Sequence, residues 1–218
     1  ASIRAAFEAL ADATGGRLDA LFNNGAYGQP GAVEDLTTDV LRAQFEANFF
    51  GWHELTRLVV PPMRAQGHGR IVHCPSILGF VTGRWRGAYN ASKHALEGLA
   101  LTQRLELRGS GIHVSLIEPG PIASRFSANA LEHFRARIDI ERSVHAETYR
   151  DRLARLESDG GKSRWRRGPE AVYRRLHHAL NARRPRARYP VTVPSIFMSH
   201  AIGLLPQFLV DRLILSSD

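Results

Sequence analysis

Arg70-Ile71-Val72-His73-Cys74 runs directly into Pro75-Ser76, and thirteen residues after Ser76 the stretch Tyr89-Asn90-Ala91-Ser92-Lys93 lies near the start of a periodic segment reaching Leu107. The first run is short, apolar and β-branched, and a proline closes it, as where a buried strand meets a loop. The second, Ala88 to Leu107, carries apolar groups at three- and four-residue intervals and stops before Gly109, the pattern of a long amphipathic helix. A buried strand followed by a covering helix is the unit of a parallel sheet.

The same alternation continues on both sides. Upstream, Ile3, Ala6, Phe7, Leu10 and Ala11 predict a helix over 2–13 ended by Gly15-Gly16, and Leu18 to Phe22 predicts a strand that stops at Asn23-Asn24-Gly25. A helix from about Thr38 to Val60 follows, with Thr37 or Thr38 as its N-cap and Pro61-Pro62 as its stop. Downstream, Ile112 to Ile117 predicts a strand closed by Pro119-Gly120, Pro169 to Asn181 a capped helix and Tyr189 to Val193 a last strand. Residues 125–165 read as polar helices or a lid, and Ser195 to Leu215 as one apolar helical tail. Short apolar strands separated by helices predict an α/β fold, a Rossmann-like doubly wound parallel sheet, in a single domain over 1–218.

Composition fits one such domain: 218 residues with 44% hydrophobic content. Cys74 has no second cysteine to pair with and sits in an apolar run, which predicts a small buried hydrophobe and a cytoplasmic protein. The net charge of +8 is regional, because residues 121–190 hold 17 Lys and Arg against 8 Asp and Glu. No basic stripe with interleaved aromatics appears, so a nucleic-acid role is not expected; a solvated arginine-rich face is. The only lysines are Lys93 and Lys162, which makes the place of each informative. His53-Glu54 lacks the second histidine of a zinc helix, His177-His178 are adjacent rather than four apart, and no metal site is expected.

Tyr89 and Lys93 lie one helical turn apart on one face. A phenol of pKa about 10 is a poor acid at neutral pH, and an adjacent ammonium is expected to lower that value, although such pairs also occur on exposed faces. Ser76, at the carboxyl end of a parallel strand, would supply a second hydroxyl where open α/β sheets bind ligands, or is a turn residue only. Asn48 lies among Phe45, Ala47, Phe49 and Phe50, where an amide needs partners or costs about 1–3 kcal/mol. Gly25, Gly28 and Gly31 allow close approach of a ligand to the backbone, or form a loop and nothing more.

In order and spacing these residues resemble the short-chain dehydrogenase/reductase family from residue 2 to about 126. Asn23-Asn24-Gly25-Ala26 resembles the family's Asn-Asn-Ala-Gly motif, and Asn48, Ser76, Tyr89 and Lys93 match its catalytic residues. Pro119-Gly120-Pro121-Ile122 with Ser124 resembles the stretch that contacts the nicotinamide. Together with Arg188-Tyr189-Pro190-Val191-Thr192, that stretch is also similar to a branch near retinol and 17β-hydroxysteroid dehydrogenases and bacterial broad aldehyde reductases.

The resemblance implies an NAD(P)-dependent oxidoreductase that moves hydride between a nicotinamide cofactor and an aldehyde, retinoid-like or steroid-like carbonyl or alcohol, with NADP slightly favoured over NAD. It implies that Tyr89 is the general acid or base, that Ser76 holds the substrate oxygen, that Lys93 lowers the Tyr89 pKa and bonds the ribose, and that Asn48 holds a relay water. Asn23, Gly25, Tyr89, Lys93, Pro119, Gly120, Ile122 and Ser124 would bind the cofactor, and residues 125–165 would be the substrate lid. A homodimer or homotetramer through the two long helices is implied too, and the apolar tail is expected to cover the site, join the dimer contact or touch a membrane.

Some positions depart from the pattern. Gly25-Ala26 inverts the usual order, Pro75 replaces a common Ser, and Ser124 stands where Thr is usual. The family's glycine-rich Thr-Gly-x-x-x-Gly-x-Gly turn does not occur in these residues, so the domain is expected to be N-terminally incomplete and these residues alone are expected not to hold a dinucleotide. A catalytically silent scaffold that has lost cofactor binding is the alternative.

Overall fold

Four parallel strands in chain order make the sheet: β1 (Ala20–Asn23), β2 (Gly69–His73), β3 (Ile112–Glu118) and β4 (Arg188–Pro190). The computed structural model describes residues 2–159 and 164–216, so Lys162 lies outside the described residues. Leu21 pairs with Ile71, Ile71 with Val114, and Ile117 with Tyr189. Successive side chains point to opposite faces, and β2 therefore feeds two cores. Ile71 packs with Leu18, Val59, Met63, Ile112 and Val114, whereas Val72 packs with Ile117, Ala179 and Tyr189. The doubly wound α/β expectation holds.

Helix α1 (Ser2–Thr14) presents Phe7 to the first core and packs against α3 (Gly51–Gln66). Helix α2 (Thr38–Phe45) begins at Thr37, whose hydroxyl accepts from the Val40 N–H at 3.3 Å. Helix α4 (Gly87–Glu106) packs on β3, and α7 (Glu170–Asn181) covers β2 and β3 from the side of the second core.

Two helical expectations need correction. The helix predicted over 38–60 is α2 and α3 joined through a π-turn at Glu46–Phe50, and it does not stop at Pro61-Pro62. Both prolines lie inside α3, which continues to Gln66 and ends at Gly67 in the left-handed conformation. Their missing N–H groups weaken that last turn, but continuing it buries Met63 completely beside Val59. The tail predicted as one helix is two, α8 (Val193–Ala201) and α9 (Gln207–Leu215), parted at Gly203 and Pro206. The last strand ends at Pro190 rather than Val193, because Thr192 is already the N-cap of α8.

The segment before α7 folds as α5 (Phe126–Arg137) and α6 (Ala146–Asp159). Phe134, Ile138 and Tyr149 form a separate small core with Ala32. The Tyr149 hydroxyl donates to Asp35 and accepts from the Ala32 N–H at 2.7 Å, tying this flap to the loop after β1.

Candidate active site

Helix α4 packs against β3 and the turn that follows β2, and that corner collects the residues singled out by sequence. Tyr89 and Lys93 stand on the inner face of α4; Tyr89 is 8% exposed and Lys93 0%. Ser76 follows β2, stands beside the Tyr89 side chain, accepts from Leu78 N–H at 3.1 Å and donates to the Pro119 carbonyl at 3.4 Å. Asn48 sits in the π-turn and reaches Ser92 on α4 at 3.4 Å. The structure thus brings Asn48, Ser76, Tyr89 and Lys93 into one buried neighbourhood.

Electrostatics there run against one expectation. Desolvation outweighs any lowering by the neighbouring Lys93: burial pushes the phenol well above its ordinary value, offset only in part by Ser76. Lys93 is buried as well. Desolvation lowers its own pKa to about 8, and its Nζ lies 5.5 Å from the Tyr89 ring centroid. Tyr89 is therefore a protonated phenol at neutral pH. Cys74, beside them, is pushed up to about 11 by burial and stays a thiol.

Asn48 is held by the loop after β1. Its Oδ1 accepts from the Tyr27 N–H at 3.2 Å, and its Nδ2 donates to the Tyr27 carbonyl at 2.9 Å and to Ser92. The side chain thereby clamps the Tyr27 backbone, and Oδ1 keeps a second lone pair for a further donor. Its place in a π-turn, where the backbone ladder is shifted, is the feature that disturbs the helix at this point.

The residues expected at the cofactor divide into two sets. Gly25 faces open space, where an added Cβ would meet nothing, and the Lys93 Nζ is buried with no hydrogen-bond partner among the described residues. A buried ammonium needs acceptors, and hydroxyls of a ribose would supply them, so these two positions fit a nucleotide. Pro119 and Gly120 border the same corner, with Gly120 close against Thr192. Asn23 instead turns inward, bonding Thr56 at 3.0 Å and His73 at 3.2 Å. Ile122 bridges to Arg167 and packs in the second core, and the Ser124 hydroxyl accepts from the Phe126 N–H at 3.3 Å. Those two residues shape the entry to α5. Gly28 and Gly31 are approached by Phe126 and Ile138 of the flap rather than left open for a ligand, and Gly31 has φ +148°.

Three features escaped the sequence reading. Phe126 stands over Tyr89, Trp52 lies under Lys93, and a buried acid pair, Glu97 and Glu118, is bridged by Arg188 at 3.1 Å and 2.7 Å. Spacing could have flagged two of them: Trp52 is four residues after Asn48, and Glu97 four after Lys93.

The family model described as short chain dehydrogenase matches residues 1–134. The chain is 39% identical over 211 residues to the uncharacterized oxidoreductase YbbO of Escherichia coli (strain K12), covering 97% of this chain and 72% of that protein. The chain belongs to the short-chain dehydrogenase family. Retinol dehydrogenase 8 of Bos taurus is 36% identical over 118 residues, which cover 54% of this chain and 38% of that protein. Among solved structures, a short-chain dehydrogenase from Streptomyces avermitilis superposes with a TM-score of 0.74 at 25% identity, covering 100% of this chain and 77% of that one. Actinorhodin polyketide ketoreductase with NADPH superposes at 0.68 with 26% identity, over 87% of this chain and 71% of that one. This short-chain dehydrogenase is an oxidoreductase of a family that transfers hydride between a nicotinamide cofactor and a carbonyl or alcohol.

Proposed function

We propose that this short-chain dehydrogenase reduces an aldehyde or ketone with Tyr89 as proton donor, and oxidises the alcohol when the reaction runs backwards. The observation that carries the reading is the Lys93 ammonium, fully buried beside Tyr89 with no hydrogen-bond partner among the described residues. Such a group is costly unless a ligand completes its coordination. A bound nicotinamide cofactor supplies the hydride. Lys93 would hold its ribose, with Gly25, Pro119 and Gly120 lining the place.

The chain's own work is proton delivery and orientation. Ser76 stands beside the Tyr89 hydroxyl; as negative charge develops on the substrate oxygen, Tyr89 passes its proton there and Ser76 donates a second hydrogen bond. Burial keeps Tyr89 protonated until that stronger base appears, which suits reduction better than oxidation. Asn48 fixes the Tyr27 backbone and, through Ser92, its distance to α4.

The substrate class is an apolar aldehyde or ketone, retinoid- or steroid-like in character, supported by the aromatic cover of Phe126 over Tyr89 and by the likeness to retinol dehydrogenase 8. The family's aldehyde reductases fit this reading. NADP is favoured over NAD, in line with the NADPH of the ketoreductase. Residues 125–165 serve as the lid of a single catalytic domain. Leu41, Phe50 and Leu105, exposed on α2, the π-turn and α4, support a homodimer or homotetramer built on these helices. Phe197, Leu204 and Phe208 give α8, α9 and the turn between them an exposed apolar side suited to a dimer contact or a peripheral membrane surface, and none of the described helices is long and apolar enough to cross a membrane. A buried thiol at Cys74 is consistent with the cytoplasm.

Tyr89→Phe tests the reading, because it removes only the hydroxyl. In the full-length protein, aldehyde reduction should fall by about 10²–10⁴-fold with the melting temperature unchanged. Lys93→Arg should be severe as well, since a planar guanidinium does not replace a compact ammonium in a closed site. Activity of Tyr89→Phe within tenfold of wild type would overturn the assignment.

A further inference from the structure

The Trp52 indole occupies a place that nothing in the catalytic scheme above uses. It is 5% exposed, on α3, and touches three parts of the site at once. Its N–H donates to the Gly25 carbonyl at 2.7 Å. One face carries the Lys93 Nζ, 4.2 Å from the ring centroid, while the His73 ring lies nearly parallel at 6.2 Å with an interplanar angle of 13°.

The groups facing Lys93 show why the ring matters. On α4 they are Tyr89, a protonated phenol, and Glu97; at the end of β2 is His73, with Cys74 just after it. Burial keeps Cys74 a thiol and lowers His73 to about 4, so both are neutral at pH 7. Glu97 is the one acidic partner, and it shares Arg188 with Glu118. No carboxylate oxygen hydrogen-bonds the Nζ among the described residues. What lies directly against the ammonium is the π face of an indole, the best aromatic surface for a cation.

We propose that Trp52 is a positioning residue for the reaction: its face holds Lys93 charged and in place, and its N–H fixes the Gly25 loop at the same spacing. The proposal rests on the reading of Lys93 and Gly25 given under Proposed function. It makes the indole a rigid spacer between the proton-transfer side of the site and the cofactor side. A change that keeps the ring but loses the N–H should act on the Gly25 loop alone, and a change that loses the ring should act on Lys93.

Lysine is the direct probe, because the chain has only Lys93 and Lys162. In protein labelled with ε-¹³C-lysine, the Lys93 resonance is the one lost in Lys93→Arg. In wild type the Lys93 ε-protons should be displaced upfield by the indole ring current. Trp52→Leu should abolish that displacement and lower the Lys93 titration midpoint by about one pH unit, the size expected for a desolvated cation–π contact. The alkaline limb of the kcat/KM profile should move the same way. Trp52→Phe should keep most of the midpoint and kcat while raising the cofactor KM several-fold. If Trp52→Leu does not fold, a fluorotryptophan series decides, since fluorine weakens the π face while keeping shape and N–H: the midpoint should fall with each added fluorine. A Lys93 midpoint indifferent to both Trp52→Leu and fluorination would overturn the proposal. The resonance is read without turnover, so failure of the Tyr89 assignment would appear separately, as retained activity in Tyr89→Phe with the Lys93 shifts intact.

Discussion

The Phe126 ring stands edge-on over the Tyr89 ring, centroids 5.3 Å apart and planes at 63°. Phe126 is the first residue of α5, and its ring also fills the space that a side chain at position 28 would take. One aromatic group therefore closes the proton donor from the flap side. Phe126→Ala should open that side. The ratio of kcat/KM for a bulky aromatic aldehyde to that for a short aliphatic one should rise several-fold, and a ratio unchanged from wild type would show that Phe126 does not gate the substrate.

Asn48 is a structural clamp as much as a site residue. Replacing it by Leu strands the Tyr27 N–H that Oδ1 accepts at 3.2 Å, while the Tyr27 carbonyl keeps its bond from Gln44 at 2.9 Å. A polar group so stranded out of water costs about 1–3 kcal/mol, so Asn48→Leu should lower unfolding stability by at most an amount of that order. Denaturant titration measures it. A loss of activity with unchanged stability would instead point to a role confined to the chemistry.

Glu118 is fully buried against Glu97, and burial first, then the neighbouring carboxyl, raises it well above the 4.5 usual for glutamate. An acid whose pKa is higher folded than unfolded contributes stability that is complete below the unfolded value and is lost as pH rises through the folded one. Wild type should therefore become less stable from about pH 4.5 upward, and Glu118→Gln should flatten that fall. Urea midpoints from pH 5 to pH 9 check the slope; parallel curves would refute it.

His73 acts on the opposite side. Burial lowers it from 6.5 to about 4, so it is neutral in the folded protein at pH 7. A depressed folded pKa means stability that is complete above 6.5 and lost as pH falls through about 4. His73→Gln, which keeps an acceptor for Asn23, should lose less stability between pH 6.5 and 4 than wild type, as thermal melts across that range would register.

Much of the architecture was legible because it depends on local periodicity. The apolar runs at 18–22, 70–74 and 112–117 announce buried strands, and the strands fall within two residues of them at either end. The extent of α3 was not legible, because Pro61 and Pro62 are local stop signals overridden by the burial of Met63, a tertiary gain. The tail was misread for the opposite reason. Its apolar content is continuous, but Gly203 and Pro206 break the backbone, so that Met198 and Val210 can both pack on Val81.

For the site, sequence determined which groups are present and their order: Asn48, Ser76, Tyr89 and Lys93 are fixed by spacing along two helices and one strand end. Tertiary structure decided their chemical state. Whether a lysine four residues from a tyrosine lowers the phenol's pKa depends on the water left around both, and the packing of Trp52, Phe126 and the three strand ends removes it. Desolvation then outweighs the pair's attraction, raising Tyr89 and lowering Lys93. Dielectric surroundings are built from contacts distant in the chain, such as position 28 with 126 or 52 with 93, and no local spacing encodes them.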